Sequence, residues 1–135
     1  MDWFRSRRGA VVLSAAAFLA FLERALLDWR YVFPEFVPKT DTVTAAVSVA
    51  FYVACAAAWL WALSAASRGS RGGLRALLVL ALLFGVVMGV ATPTALCRFP
   101  CQTAWPLMEV SNWVGLVIGV LAAAAATIRL RSPGE

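Results

Sequence analysis

Glu109 is the residue whose type and setting say most about chemistry. It stands with Asn112 inside an apolar stretch covering 104–128. An ionisable group within a membrane span costs about 3 kcal/mol or more unless it is paired, protonated or wetted, so it usually points into the protein. Asn112 follows at i+3 and Trp113 at i+4, both on the helical face of Glu109. Glu23 and Arg24 reach a similar depth at the end of the apolar stretch 9–27, and Ser48 and Tyr52 are i, i+4 neighbours in the stretch 42–66. These residues are expected to line one outward-facing polar pocket: Glu23, Arg24, Ser48, Tyr52, Glu109 and Asn112.

Two readings of that pocket stand side by side. In the functional one it takes a small solute, an ion or a proton, with Glu109 as the titrating or cation-binding group and Arg24 as its counter-charge. In the structural one Glu109 or Glu23 satisfies an arginine or a loop amide, or reaches the headgroups. Closeness to the interface lowers the cost of burial and favours the structural reading.

Cys97 and Cys101 form the second constellation. They bracket Arg98-Phe99-Pro100 in a short loop expected outside the cytoplasm, where disulfides persist. The leading reading is a disulfide that pins the loop; free thiols and a redox-active pair are the alternatives. Cys55 falls near mid-membrane and reads as a small buried hydrophobe. Thiol relay chemistry needs a second accessible dithiol, which the sequence does not supply.

Other chemistry finds no footing. The chain contains no histidine, which removes the commonest general base and the usual transition-metal ligand. It carries no phosphate-binding glycine loop and no nucleophile elbow. No catalytic residue, metal site or cofactor is expected.

The elements that must hold these residues follow from composition. Of 135 residues, 62% are apolar and 14% charged, against about a quarter charged in an average soluble domain. The mean hydropathy is +0.81. A chain of this kind folds in lipid. At about 20 apolar residues per span, the sequence predicts spans at 9–27, 42–66, 74–92 and 104–128. The expected fold is an all-α membrane protein, one domain over 1–135, with four transmembrane helices in an antiparallel bundle. The first apolar run is expected to be retained rather than cleaved as a signal.

Charge sets the expected orientation. Arg5, Arg7, Arg8, Arg68, Arg71, Arg75, Arg129 and Arg131 fall on one side of those spans, and only Arg30, Lys39 and Arg98 on the other. Positive charge is held in the cytoplasm, so both termini are expected there, in a bacterial or archaeal cytoplasmic membrane. The net charge of +5 therefore reads as topology, and no nucleic-acid partner is expected. Trp3, Trp59 and Trp61 are expected near the inner interface, Trp29 and Trp105 near the outer one, and Trp113 inside its span. The aromatic and proline-rich segment 28–41 is expected to rest at the outer interface.

Small residues supply packing surfaces. Gly85 and Gly89, and Gly115 and Gly119, form two small-xxx-small pairs, and alanines at 54, 56–58 and 122–126 add smooth faces. Counting about 1.5 Å per residue places the two glycine pairs at different depths, where they would receive different partners. One glycine face could serve packing within the molecule or dock a neighbouring subunit. Three functions follow from these features. The first is a non-enzymatic accessory or scaffold subunit acting through helix association, in a homo-oligomer or a larger membrane complex. The second is a small-solute or ion carrier using Glu109. The third is a thiol-redox protein using Cys97 and Cys101.

Overall fold

A computed structural model of the chain describes residues 2–27, 29–30, 42–87 and 105–132. Five α-helices and one π-helical segment make up this part: α1 (Asp2–Arg5), α2 (Arg7–Leu27), α3 (Thr42–Ser67), α4 (Arg71–Leu80), the π segment (Ala81–Val87) and α5 (Trp105–Arg131). Ser6 separates the first two. Its hydroxyl accepts from the Gly9 N–H at 3.0 Å, capping α2, and donates to the Trp3 carbonyl at 2.6 Å.

The turn between α3 and α4 is encoded residue by residue. Gly69 adopts φ +104°, a left-handed conformation that glycine takes without a side-chain clash. Its N–H bonds the Ala66 carbonyl at 3.1 Å, and the Ser70 N–H bonds the Ala65 carbonyl at 3.0 Å. That pair of bonds closes the C-terminus of α3 as a Schellman motif. Ser70 then starts the next helix, its hydroxyl accepting from the Gly73 N–H at 3.2 Å. Two helices thus reverse direction across three residues.

Among the described residues three helices are long and apolar enough to cross a membrane: α2, the 45–67 part of α3 and the 109–131 part of α5. The protein is a small all-α polytopic membrane protein. The expectation of a four-helix bundle is corrected here. The predicted span 74–92 is not one long apolar α-helix. Arg71, Gly72, Gly73 and Arg75 occupy the first half of α4, which ends after ten residues. At Ala81 the N–H is shared between the Leu77 and Leu78 carbonyls, and the backbone passes into i→i+5 π turns through Val87.

Close backbone approach makes that irregular segment fit. A Cβ on Gly85 would lie 2.6 Å from the Gly119 Cα, and one on Gly119 would lie 2.5 Å from the Gly85 Cα. The π segment and α5 therefore touch backbone to backbone, as small-residue helix contacts in lipid allow. This overturns the expectation that the two glycine pairs meet different partners. Gly89 lies outside the described residues.

The buried core is mostly alanine, with Phe18, Trp59, Leu74 and Leu77 as its large members. α2 packs chiefly on α5, α4 on α3 and α5, and the π segment on α5. Trp59 is 0% exposed and lies against Phe18, with ring centroids 6.0 Å apart. It is a core residue, not the interfacial anchor expected of it; Trp3, Trp29 and Trp61 are exposed.

Three chain segments converge at one end of the molecule. The Arg71 Nη2 donates to the Leu130 carbonyl at 2.7 Å, capping the C-terminus of α5, where a cation also meets the negative end of the helix dipole. The Arg7 guanidinium lies beside Gly69. The N-terminus of α2, the α3–α4 turn and the C-terminus of α5 thus bring Arg5, Arg7, Arg8, Arg68, Arg71, Arg75, Arg129 and Arg131 to a single end.

No disulfide is formed among the described residues, where Cys55 is a free thiol. The disulfide expected to pin the outer loop is therefore not seen among the described residues. Cys97 and Cys101 fall outside the described residues, as do 31–41 of the aromatic and proline-rich segment.

Candidate functional site

A cleft opens between α2, α3, the π segment and α5. Its volume is about 80 Å³, room for about five water-sized groups. α2 contributes Ala17, Ala20, Phe21, Arg24 and Ala25, which recur at helical spacing on one face. α3 contributes Phe51 and Tyr52, the π segment Phe84 and Gly85, and α5 Ser111, Asn112, Gly115 and Leu116.

Rings build one wall. Phe21 is at the centre, 5.0 Å from Phe84 in an edge-to-face arrangement and 6.3 Å from Tyr52. Phe51 stands edge-on to Tyr52 at 5.9 Å. Edge-to-face ring pairs add about 1 kcal/mol beyond their area, so this wall is held in shape rather than merely filled. The opposite wall is smooth. A Cβ added at Gly115 would meet only the Ala20 Cβ, at 3.9 Å.

The polar groups gather toward the end away from the arginines. Ala17 lies seven residues before Arg24 on α2, about 10 Å nearer the arginine-rich end. α5 runs from Ser111 and Asn112 through Gly115 and Leu116 toward that same end. Arg24, Tyr52, Ser111 and Asn112 therefore lie toward one end of the cleft, and the lining toward Ala17 is apolar. Ser111 and Asn112 are buried, at 8% and 9% exposure.

Three of the six pocket residues read from the sequence, Arg24, Tyr52 and Asn112, line this cleft. The other three do not. Glu109 is exposed because the cleft face of α5 is centred on Ser111, Asn112, Gly115 and Leu116, about a quarter turn away at 100° per residue. Glu23 is exposed for the same reason on α2, about a third of a turn from the cleft face. Ser48 is half-buried one turn before Tyr52 and outside the lining. Trp113 is exposed. Both carboxylates thus leave the cleft, and among the described residues Arg24 is its formally charged lining residue.

Sequence reasoning missed Phe21, Phe51, Phe84 and Ser111. In a chain this apolar an aromatic facing a cleft has the same signature as one facing lipid, and Ser111 is a residue that helices in lipid use freely. It also missed two deeply buried polar atoms, Ser14 Oγ and Trp59 Nε1, which have no hydrogen-bond partner among the described residues.

A second surface is exposed on α3. Ala46, Ala50, Ala54 and Ala58 are all exposed and recur every four residues, making one ridge along the helix. Only 11% of the membrane-length window of α3 is buried inside the molecule, against 22% for α2 and 28% for α5. α3 is thus the span with least of its surface covered by its own chain.

Among the described residues no group of three His, Cys, Asp or Glu side chains is placed to hold a metal ion. Compared with protein-family models, with curated proteins and with solved structures, the chain matches none of them.

Proposed function

We propose that the protein works by association in the membrane, as a non-enzymatic accessory or scaffold subunit whose α3 packs on α3 of a second copy. The observation that carries this reading is the exposed ridge of Ala46, Ala50, Ala54 and Ala58 on the least covered span. In lipid, apolar contact alone gives no driving force, and small side chains associate by letting backbones approach. A ridge of identical small residues is self-complementary, so a two-fold contact needs no partner of special shape. Gly85 and Gly119, one from each of the two glycine pairs, already pack on each other inside the molecule.

Native mass measurement after gentle detergent extraction tests the proposal. Wild type is expected as a dimer or larger species, and Ala50→Leu/Ala54→Leu should raise the concentration at which it dissociates at least tenfold. A strictly monomeric wild type, or a double variant that assembles as well as wild type, overturns it.

The same proposal sets the arginine-rich end in the cytoplasm of a bacterial or archaeal membrane, supported by eight arginines converging on one end. A cysteine at Ser70, with the native cysteines replaced by serine, is expected to escape a membrane-impermeant maleimide in intact cells and to react after lysis. Equal labelling in intact cells contradicts that orientation.

The carrier reading centred on Glu109 is not favoured, because Glu109 is exposed outside the cleft.

A further inference from the structure

The outward face of α4 changes character within two turns. Gly73, Leu74 and Leu77 are the buried residues of this helix. Arg71, Arg75 and Val79 recur every four residues on the opposite side, and all three are exposed. Leu82 and Leu83 of the π segment, also exposed, continue beyond Val79. The strip is thus cationic at the arginine-rich end and apolar beyond it.

The fold holds its arginines in place. Arg71 uses one of its five N–H donors on the Leu130 carbonyl, which keeps its guanidinium at the C-terminus of α5. Arg131, the residue after that carbonyl, is exposed. Arg75 is exposed one turn along α4, about 6 Å nearer the middle of the molecule. Acidic side chains do not offset them. Of the seven in the chain, Glu23, Asp28, Glu35 and Asp41 belong to the stretch that joins the far ends of α2 and α3, and Glu109 stands in the first turns of α5. Glu109 is about 33 Å from Arg131 along that helix. Asp2 and Glu135 remain against the eight arginines of this end.

A guanidinium meets a phosphate with paired, parallel, charge-assisted hydrogen bonds, and arginines at a membrane surface attract anionic lipid. We infer that the outward face of α4 binds an anionic phospholipid, its phosphate at Arg71, Arg75 and Arg131 and one chain lying along Val79, Leu82 and Leu83. The occupant is a lipid and not a free phosphate because the apolar part of the strip starts one turn past Arg75, as the chains of a phospholipid start just below its phosphate. The strip lies on α4 and the π segment, so this inference does not rest on association through α3.

The protein in neutral detergent is titrated with phosphatidylglycerol, or with phosphatidylcholine of the same chains, and bound lipid is read by native mass measurement. The first phosphatidylglycerol is expected to bind about tenfold or more tightly than phosphatidylcholine, with a preference that falls in high salt as exposed charges are screened. Arg75→Gln/Arg131→Gln should weaken phosphatidylglycerol binding about tenfold or more, at about fivefold per arginine near an anionic surface, and leave phosphatidylcholine unchanged. Arg5→Gln/Arg8→Gln removes the same charge from the same end but from α1 and α2, and should weaken it less than about threefold, since those residues stand off the strip.

Equal affinity for the two lipids overturns the proposal. So does wild-type preference in a folded Arg75→Gln/Arg131→Gln, or an equal loss in the two double variants, which makes the attraction diffuse. Displacement of phosphatidylglycerol by inorganic phosphate at equal concentration assigns the strip to a free anion and overturns the lipid. Circular dichroism and a monodisperse elution profile establish folding of each variant. Should Arg75→Gln/Arg131→Gln not fold, the wild-type salt dependence carries the decision, and a preference unchanged in molar salt overturns the assignment.

Discussion

Gly119→Ala is expected to destabilise the protein by about 3 kcal/mol, the upper part of the range for overpacking a tight core, although it adds a single methyl group. That methyl would sit 2.5 Å from the Gly85 Cα, a distance a side-chain rotation does not relieve because the obstacle is backbone. The π segment and α5 must separate, and the contact between the two elements opens along with Phe84, whose ring leans on Phe21. Gly115→Ala, four residues earlier on the same helix, is the matched control. Its Cβ finds only Ala20 at 3.9 Å, and alanine gains about 0.8 kcal/mol over glycine in a helix interior. Unfolding in mixed micelles with increasing dodecyl sulfate, followed by circular dichroism, should rank the three proteins Gly115→Ala at or above wild type, and Gly119→Ala far below. Equal stability of the two variants would sink the Gly85–Gly119 contact.

Trp59→Ala carries the other large effect, about 3–5 kcal/mol for removing a buried indole. Trp59 is 0% exposed and fills the space between α2 and α3 against Phe18, which in turn stacks on Phe21 with centroids 6.4 Å apart. A cavity at Trp59 is therefore felt through the ring chain that shapes the cleft. Trp59→Phe should cost far less. The indole N–H makes no hydrogen bond among the described residues, so a phenyl ring gives up only area. Trp61→Ala, two positions on and 62% exposed, should stay within about 0.5 kcal/mol of wild type. A Trp61 variant as damaged as the Trp59 variant would contradict the inward register of α3.

What the sequence reveals of this fold depends on what each signal measures. Long apolar runs with arginines at their ends locate α2, α3 and α5 within a few residues, because lipid thickness and charge cost act on residue type alone. The stretch after Arg71 has the same hydropathy signature, yet hydropathy carries no information on backbone hydrogen bonding, and the shift to i→i+5 turns at Ala81 leaves no mark in it. The depth count for Gly85 failed for that reason. A π turn packs more residues per turn than an α-helix, so Gly85 sits nearer the arginine-rich end than a uniform rise implies, level with Gly119 on α5.

Candidate site residues divide along the same line. Arg24, Tyr52 and Asn112 were legible because polar groups stand out in an apolar chain. Glu109 stands out equally, but its face is fixed by which residues of α5 meet their neighbours, and helical spacing alone tied it to Asn112 when the cleft face lies a quarter turn away. Ser70 and Gly69 are the converse case. Their types in sequence already spell a helix stop followed by a helix start, and the turn between α3 and α4 uses both.

The association of α3 is tested most directly by a cysteine scan along that helix in native membranes, with Cys55, Cys97 and Cys101 replaced by serine. Single cysteines at Ala46, Ala50, Ala54 and Ala58 should cross-link into dimers under mild oxidation, while cysteines at Ala56 and Ala62, which face the molecule's own interior, should not. Cross-linking that follows this four-residue rhythm is the expected result; none at any position, or equal yield at all six, would contradict it.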